Sequence, residues 1–157
     1  MSAILSTQNL VKKYGYKIVS NNISLTINKG DIYGFVGKNG AGKTTFMRQV
    51  LGLAFPDSGE ITLFGGEPLN TARKKIGSLI EFPSIYKNCT AYENMKRMAI
   101  LTGSSDKSGR KILDFVGLGN TGNKKAGQFS LGMRQRLGIA MALLGNPELL
   151  ILDEPIN

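Results

Sequence analysis

Between Gly37 and Thr44 the chain reads Gly37-Lys38-Asn39-Gly40-Ala41-Gly42-Lys43-Thr44, the pattern G-x-x-x-x-G-K-[ST]. Each residue type has a chemical use. Glycines permit backbone conformations that turn several N–H groups toward one anion. A helix starting near Lys43 directs its positive end at the same point. Lys43 then reaches the β- and γ-phosphates of a nucleotide, the Thr44 hydroxyl ligates Mg²⁺, and Thr45 adds a hydrogen bond to the α-phosphate. A chance match in a chain of this length arises roughly half a per cent of the time. The candidate nucleotide-binding residues here are therefore Gly37, Asn39, Gly40, Ala41, Gly42, Lys43, Thr44 and Thr45.

A second chemical feature closes the chain. Glu148-Leu149-Leu150-Ile151-Leu152-Asp153-Glu154 is an apolar strand ending in two carboxylates. By itself this is a strand meeting solvent. Behind a phosphate loop it acquires a role: Asp153 holds Mg²⁺, usually through water, and Glu154 orients and polarises the water that attacks the γ-phosphate. The chain has no histidine, so the usual near-neutral acid–base group is absent and Glu154 is the candidate base.

These groups need elements to position them. Ile23, Leu25 and Ile27 alternate with Ser24 and Thr26, predicting a half-buried strand. Ile32–Val36 is a short apolar strand feeding the loop, and a helical pattern runs from Lys43 to about Leu51. Phe55–Gly59 is a turn by composition. Glu60–Phe64 and Ile76–Ile80 are further strands. Thr90-Ala91-Tyr92-Glu93 has capping-box form and opens a helix to about Thr102. A second helix covers Lys107–Val116. A third begins at Ser130, with Met133, Leu137, Ala140, Met141 and Leu144 on one face, and stops at Gly145-Asn146-Pro147. The expected organisation is an α/β nucleotide-binding core from 1–82 and 147–157, with an α-helical subdomain over 83–146.

Bulk properties narrow the classes. With 157 residues, 41% apolar and 20% charged, the chain suits one globular domain. The net charge of +9 comes from 20 basic and 11 acidic side chains, but the basic residues lie in small clusters without interleaved aromatics. That fits a solvated face beside an anionic ligand better than a nucleic-acid groove. Cys89 is the single cysteine, which fits a reducing compartment. No apolar run reaches membrane-spanning length, so membrane work needs a partner chain.

Three motifs in order resemble the ATP-binding subunit of ABC transporters. They are the loop Gly37–Thr44, the segment Phe129-Ser130-Leu131-Gly132-Met133-Arg134-Gln135-Arg136 in the place of the L-S-G-G-Q-x-Q-R signature, and the strand ending Asp153-Glu154-Pro155. The Ser-Leu-Gly-Met form and Ile80-Glu81-Phe82-Pro83 are similar to the bacitracin- and lantibiotic-type peptide resistance exporters. The resemblance implies a P-loop NTPase (RecA-like) core with an N-terminal antiparallel β part and a helical insert. It implies a MgATP-hydrolysing subunit, cytoplasmic and peripheral on the inner face of the membrane. Its partners would be a second such subunit and a separate integral membrane permease, with no direct nucleic-acid contact. Tyr14 would stack on adenine. Ser130 and Gly132 would bind the γ-phosphate of ATP held by the second subunit, and Glu81–Thr90 would face the permease.

Some positions depart from the family pattern. Glu81 stands where the family carries a glutamine near Mg²⁺, Leu131 replaces the first signature glycine, and Met133 replaces the signature glutamine. The chain ends at Asn157, ahead of the family's switch histidine and of a core strand. The expectation is a C-terminally truncated domain with impaired turnover and an exposed Leu149–Leu152 edge. Two other readings compete: a soluble ABC ATPase acting on ribosomes or nucleic acid, and a phosphate-loop kinase acting on a small molecule.

Overall fold

Residues 3–28 alternate and carry β-branched side chains around the sharp Gly15-Tyr16 turn. In a computed structural model, which describes residues 2–155, they form a long hairpin of β1 (Ala3–Tyr14) and β2 (Lys17–Asn28). Strand β3 (Ser58–Leu63) adds to the other side of β1, giving an antiparallel sheet of order β2-β1-β3. The central strand buries Leu5 and Leu10. Helix α1 (Lys43–Leu51) presents Phe46, Gln49 and Val50 as its buried face. The turn before β3 is pinned by Asp57, whose carboxylate accepts the Lys13 N–H at 2.6 Å and lies 3.4 Å from the Lys12 ammonium. A short helix α2 (Leu69–Ala72) completes this unit.

The described residues divide into two compact units after Ile76. Met1, and the Ile156–Asn157 end of the expected 147–157 core segment, lie outside the described residues. The second unit pairs β4 (Ile76–Leu79) with β5 (Leu149–Leu152). Helices α3 (Ala91–Thr102), α4 (Asp106–Phe115) and α5 (Leu131–Leu143) lie between these strands in sequence. Their core contains Met95, Ala99, Leu113, Leu118, Phe129, Leu137 and Leu144. Helix α4 starts one residue earlier than its apolar pattern suggests, because Ser105 caps it by accepting the Ser108 N–H at 3.2 Å. Leu137 and Ala140 are buried as the α5 face requires, with Met133 and Met141 packed against the cluster.

One expected element does not form. Ile32–Val36 is irregular, with Ile32 and Val36 exposed. A strand needs a neighbour for its N–H and C=O groups, and the three strands of this unit pair only with one another. The segment keeps one anchor, a stack of Phe35 on Phe46 with ring centroids 5.0 Å apart.

The α3 capping box forms as its sequence predicts. Glu93 N–H donates to Thr90 Oγ1 at 3.1 Å, and Thr90 N–H donates to the Glu93 carboxylate at 2.6 Å. That second bond, with Lys125 beside it, holds the Glu93 pKa below its ordinary 4.5. Because the folded pKa is depressed, the stabilisation is present above pH 4.5 and is lost as pH falls through the lower folded value. Glu93→Gln should therefore make unfolding less sensitive to pH below 4.5, measured as the urea midpoint across an acid titration.

Gly77 supplies a second test. A β-carbon there would lie 2.0 Å from the Ala142 carbonyl oxygen, so the end of α5 meets β4 only through glycine. Gly77→Ala should cost about 2 kcal/mol. Gly34→Ala, with open space around the new methyl, should be close to neutral in the same denaturant titration.

Candidate functional site

The phosphate-loop residues come together around the start of α1. The N-cap is Gly42 at φ 90, no side chain caps the helix, and its first turn carries no acidic residue. Its uncompensated positive end therefore faces out at the loop. Phe46 N–H donates to Gly42 O at 2.8 Å, closing the first helical turn, and Ala41 N–H donates to Lys38 O at 3.0 Å, closing the loop itself. The Lys43 ammonium folds back on its own loop, donating to Gly37 O at 2.7 Å and to Lys38 O at 3.1 Å. Gly40 has φ 79 and nothing within 4 Å of a β-carbon position. The arrangement is an open, cationic cradle ringed by glycine backbone. It suits a polyphosphate, and the Lys43 ammonium can leave two neutral carbonyls for charged oxygens.

What holds this cradle is not visible in the motif. A β-carbon on Gly42 would sit 1.9 Å from the Val19 carbonyl oxygen and 3.7 Å from Ser20 Oγ. The floor beneath the helix start is thus β2 backbone. Ser20 is buried, and its hydroxyl makes no hydrogen bond among the described residues. In the sequence Val19-Ser20 reads as ordinary strand, and no local signal marks it. Asn39 and Ala41 lie in the exposed loop, and Thr44 and Thr45 occupy the first turn of α1, half-buried. Tyr14 is the last residue of β1. The residue is 52% exposed, with the Lys12 ammonium 5.3 Å from its ring centroid.

In the second unit the carboxylates gather at one end of the β4–β5 pair. Asp153 is buried, and its N–H donates to Leu79 O at 2.8 Å. Glu81 lies two residues beyond β4 and Glu154 two beyond β5. Both are exposed and both take a left-handed backbone, with φ 59 and φ 45. That conformation costs a residue with a β-carbon about 1 kcal/mol. Among the described residues, no cluster of three or more acidic or Cys side chains would hold a metal on its own. Mg²⁺ suits that shortage, since it is commonly held by one or two carboxylates, substrate phosphates and water.

Ser130 is the N-cap of α5 and accepts the Met133 N–H at 3.2 Å. Leu131 and Gly132 are exposed in the first turn, and Gly132 has open space around its α-carbon. Arg134 donates back to Phe129 O, bracing the turn into the helix. The result is a second exposed helix N-terminus, available to an anion from outside the chain.

The model of the ABC transporter family matches residues 20–157. The chain belongs to the ABC transporter ATP-binding family. It is 51% identical over 161 residues to the bacitracin transport ATP-binding protein BcrA of Enterococcus faecalis, a match covering all of this chain and 52% of the relative. It is 47% identical over 154 residues to the lantibiotic transport ATP-binding protein SrtF of Streptococcus pyogenes, covering 98% of this chain and 67% of the relative. The chain thus spans about half the length of its BcrA relatives. Among solved structures it resembles a nucleotide-free ATP-binding cassette at TM-score 0.83 and 28% identity, over 99% of this chain and 70% of that one. It also resembles the dimeric post-hydrolysis cassette MJ0796 bound to ADP and Pi, at TM-score 0.82 and 26% identity, over 96% and 74%. The mixed α/β architecture is that of an ABC ATPase domain with a P-loop NTPase core. No helix among the described residues is long and apolar enough to cross a membrane.

The cap of α5 also supports a stability test. Ser130→Ala removes the α5 cap and should destabilise the protein by about 1 kcal/mol. Ser130→Thr should recover most of the loss in the same thermal unfolding measurement.

Proposed function

We propose that the protein is the ATP-binding subunit of an ABC exporter, which binds MgATP and hydrolyses it to drive a separate membrane permease. Gly37, Asn39, Gly40, Ala41 and Gly42 form the backbone cradle around the phosphates, to which Asn39, Gly40 and Gly42 can turn N–H groups. Lys43 exchanges its loop carbonyls for the β- and γ-phosphate oxygens, Thr45 supports the α-phosphate, and Tyr14 offers its open ring to adenine. Mg²⁺, when bound, neutralises phosphate charge, with Thr44, Asp153 and Glu81 as its protein-side groups. Glu154 accepts the proton of the attacking water. Ser130 and Gly132 serve the nucleotide of a second copy, so two chains enclose two ATP molecules. The nucleotide-binding core would comprise 1–82 and 147–157, with 83–146 as the helical subdomain, and Glu81–Thr90 would meet the permease at the cytoplasmic face.

The observation that carries this reading is the start of α1 without a side-chain cap, where the Lys43 ammonium donates to two neutral carbonyls. The relatives named for bacitracin and lantibiotic transport support antimicrobial-peptide export as the task.

The test separates binding from chemistry. Lys43→Ala should weaken ATP binding at least tenfold by isothermal titration. Glu154→Gln should keep ATP affinity within a few-fold and lower the rate of phosphate release by about 100-fold, a general-base contribution. Equal ATP binding by wild type and Lys43→Ala would end the proposal.

A further inference from the structure

Of the chain's asparagines only Asn39 is followed by glycine. Both residues are exposed in the phosphate loop, in the turn that the Ala41 N–H closes by donating to Lys38 O at 3.0 Å. Gly40 takes φ 79, and nothing lies within 4 Å of a β-carbon position there. Among the described residues, neither the Asn39 carboxamide nor the Gly40 N–H has a hydrogen-bond partner.

Other asparagines stand differently. Asn94 is buried on α3. Its Oδ1 accepts the Tyr86 N–H at 2.8 Å, and its amide nitrogen donates to Thr90 O at 2.8 Å, holding the irregular loop ahead of α3. The Asn28 amide donates to the Asp31 carboxylate at 3.3 Å. A carboxamide bound in this way is kept from turning onto its neighbour's main chain. Asn120 and Asn123 are exposed, as Asn39 is, but Thr121 and Lys124 follow them, and the β-carbons of those residues crowd the nitrogen that glycine leaves open.

We propose that Asn39 is a self-modification site whose conversion is controlled by bound nucleotide. Asparagine is a thermolabile residue, and here its carboxamide carbon sits beside an unencumbered main-chain nitrogen. The Gly40 nitrogen gives its proton to water and bonds to Asn39 Cγ. The Cγ–Nδ2 bond breaks, Nδ2 takes a proton from water, and ammonia leaves behind a cyclic imide. Water then adds to either imide carbonyl and breaks its bond to the Gly40 nitrogen or to the main-chain path, which leaves an isoaspartyl or an aspartyl linkage at position 39. Water is the only co-reactant, and nothing is oxidised or reduced.

Either product replaces a neutral amide by a carboxylate. That charge stands in the loop that holds the Lys43 ammonium, and it repels a polyphosphate. The positive end of α1 favours the deprotonated nitrogen that attacks, so the field that suits an anionic ligand also speeds the loss of the amide. A phosphate that accepts the Gly40 N–H occupies the nucleophile and offsets that field. The nucleotide control rests on the functional reading above, whereas the conversion itself rests on the turn alone.

The full-length protein, incubated at mildly alkaline pH with and without MgATP, tests this by mass spectrometry of each asparagine peptide with enzymatic isoaspartate labelling. Without nucleotide, Asn39 should convert at least tenfold faster than Asn120 and Asn123, and Gly40→Ala should slow it at least tenfold. Saturating MgATP should slow it at least fivefold. Asn39→Asp, a carboxylate from the outset, should bind ATP at least tenfold more weakly by isothermal titration, with its thermal unfolding midpoint unchanged. Conversion of Asn39 no faster than that of Asn120 and Asn123 would overturn the site. Equal conversion with and without MgATP, in protein that titration shows to bind ATP, would overturn the nucleotide control, and full ATP affinity in Asn39→Asp would overturn its consequence. A fresh wild type that binds no ATP would instead overturn the functional reading, with the nucleotide-free rate still deciding the site.

Discussion

Gly42 meets the Val19 carbonyl so closely that no β-carbon fits between them, and the shape of the loop Gly37–Thr44 at the start of α1 depends on that approach. Helix α1 can begin at this point, with its positive end aimed at the loop, only because its N-cap residue has no side chain and accepts φ 90. The hairpin β1–β2 thus does more than fill a sheet. It is the surface on which the anion-binding backbone is mounted. Lys43 follows from the same geometry. Placed at the first helical position, its side chain reaches back across the loop to Gly37 and Lys38.

The second unit applies a similar economy of backbone contact. Gly77 lets β4 lie against the Ala142 carbonyl, and Gly127 lets the segment ahead of α5 lie against Lys87. Both approaches set the ends of α5. Its C-terminal end leads through Pro147 into β5 and the carboxylates Asp153 and Glu154, while its N-terminal end carries Ser130. A single helix therefore links the strand that presents acidic groups to the turn that presents N–H groups. Asn94 adds the element that local sequence rules do not supply: a buried amide that satisfies an irregular loop in place of a strand neighbour.

Much of this was legible in the chain because it is local. The capping box Thr90–Glu93, the start at Ser130 and the apolar face of α5 each depend on residues three or four apart, and α3 and α5 begin where those spacings indicate, whereas the Ser105 cap that starts α4 appears only in the structure. The motif Gly37–Thr44 marks a candidate phosphate site because backbone anion binding calls for those residue types in that order. The strand at Leu149–Leu152 also forms as read. The exception, Ile32–Val36, is instructive: its side chains suit a strand, but a strand requires a partner, and none of the described strands pairs with it.

The sequence by itself determined the family and the existence of the three long helices, and it marked the candidate loop and the candidate carboxylates, since each is encoded in short-range spacing. Only the tertiary structure decided what lies under or beside those groups. Val19 and Ser20 beneath Gly42 are 23 and 22 residues away in the chain, and Cys89 and Ala126 meet across 37, by subtraction of their numbers. No residue type announces such a meeting, because it arises from the paths of whole strands and helices. The close contacts that hold each motif in working shape are properties of packing, and packing appears only when the chain is folded.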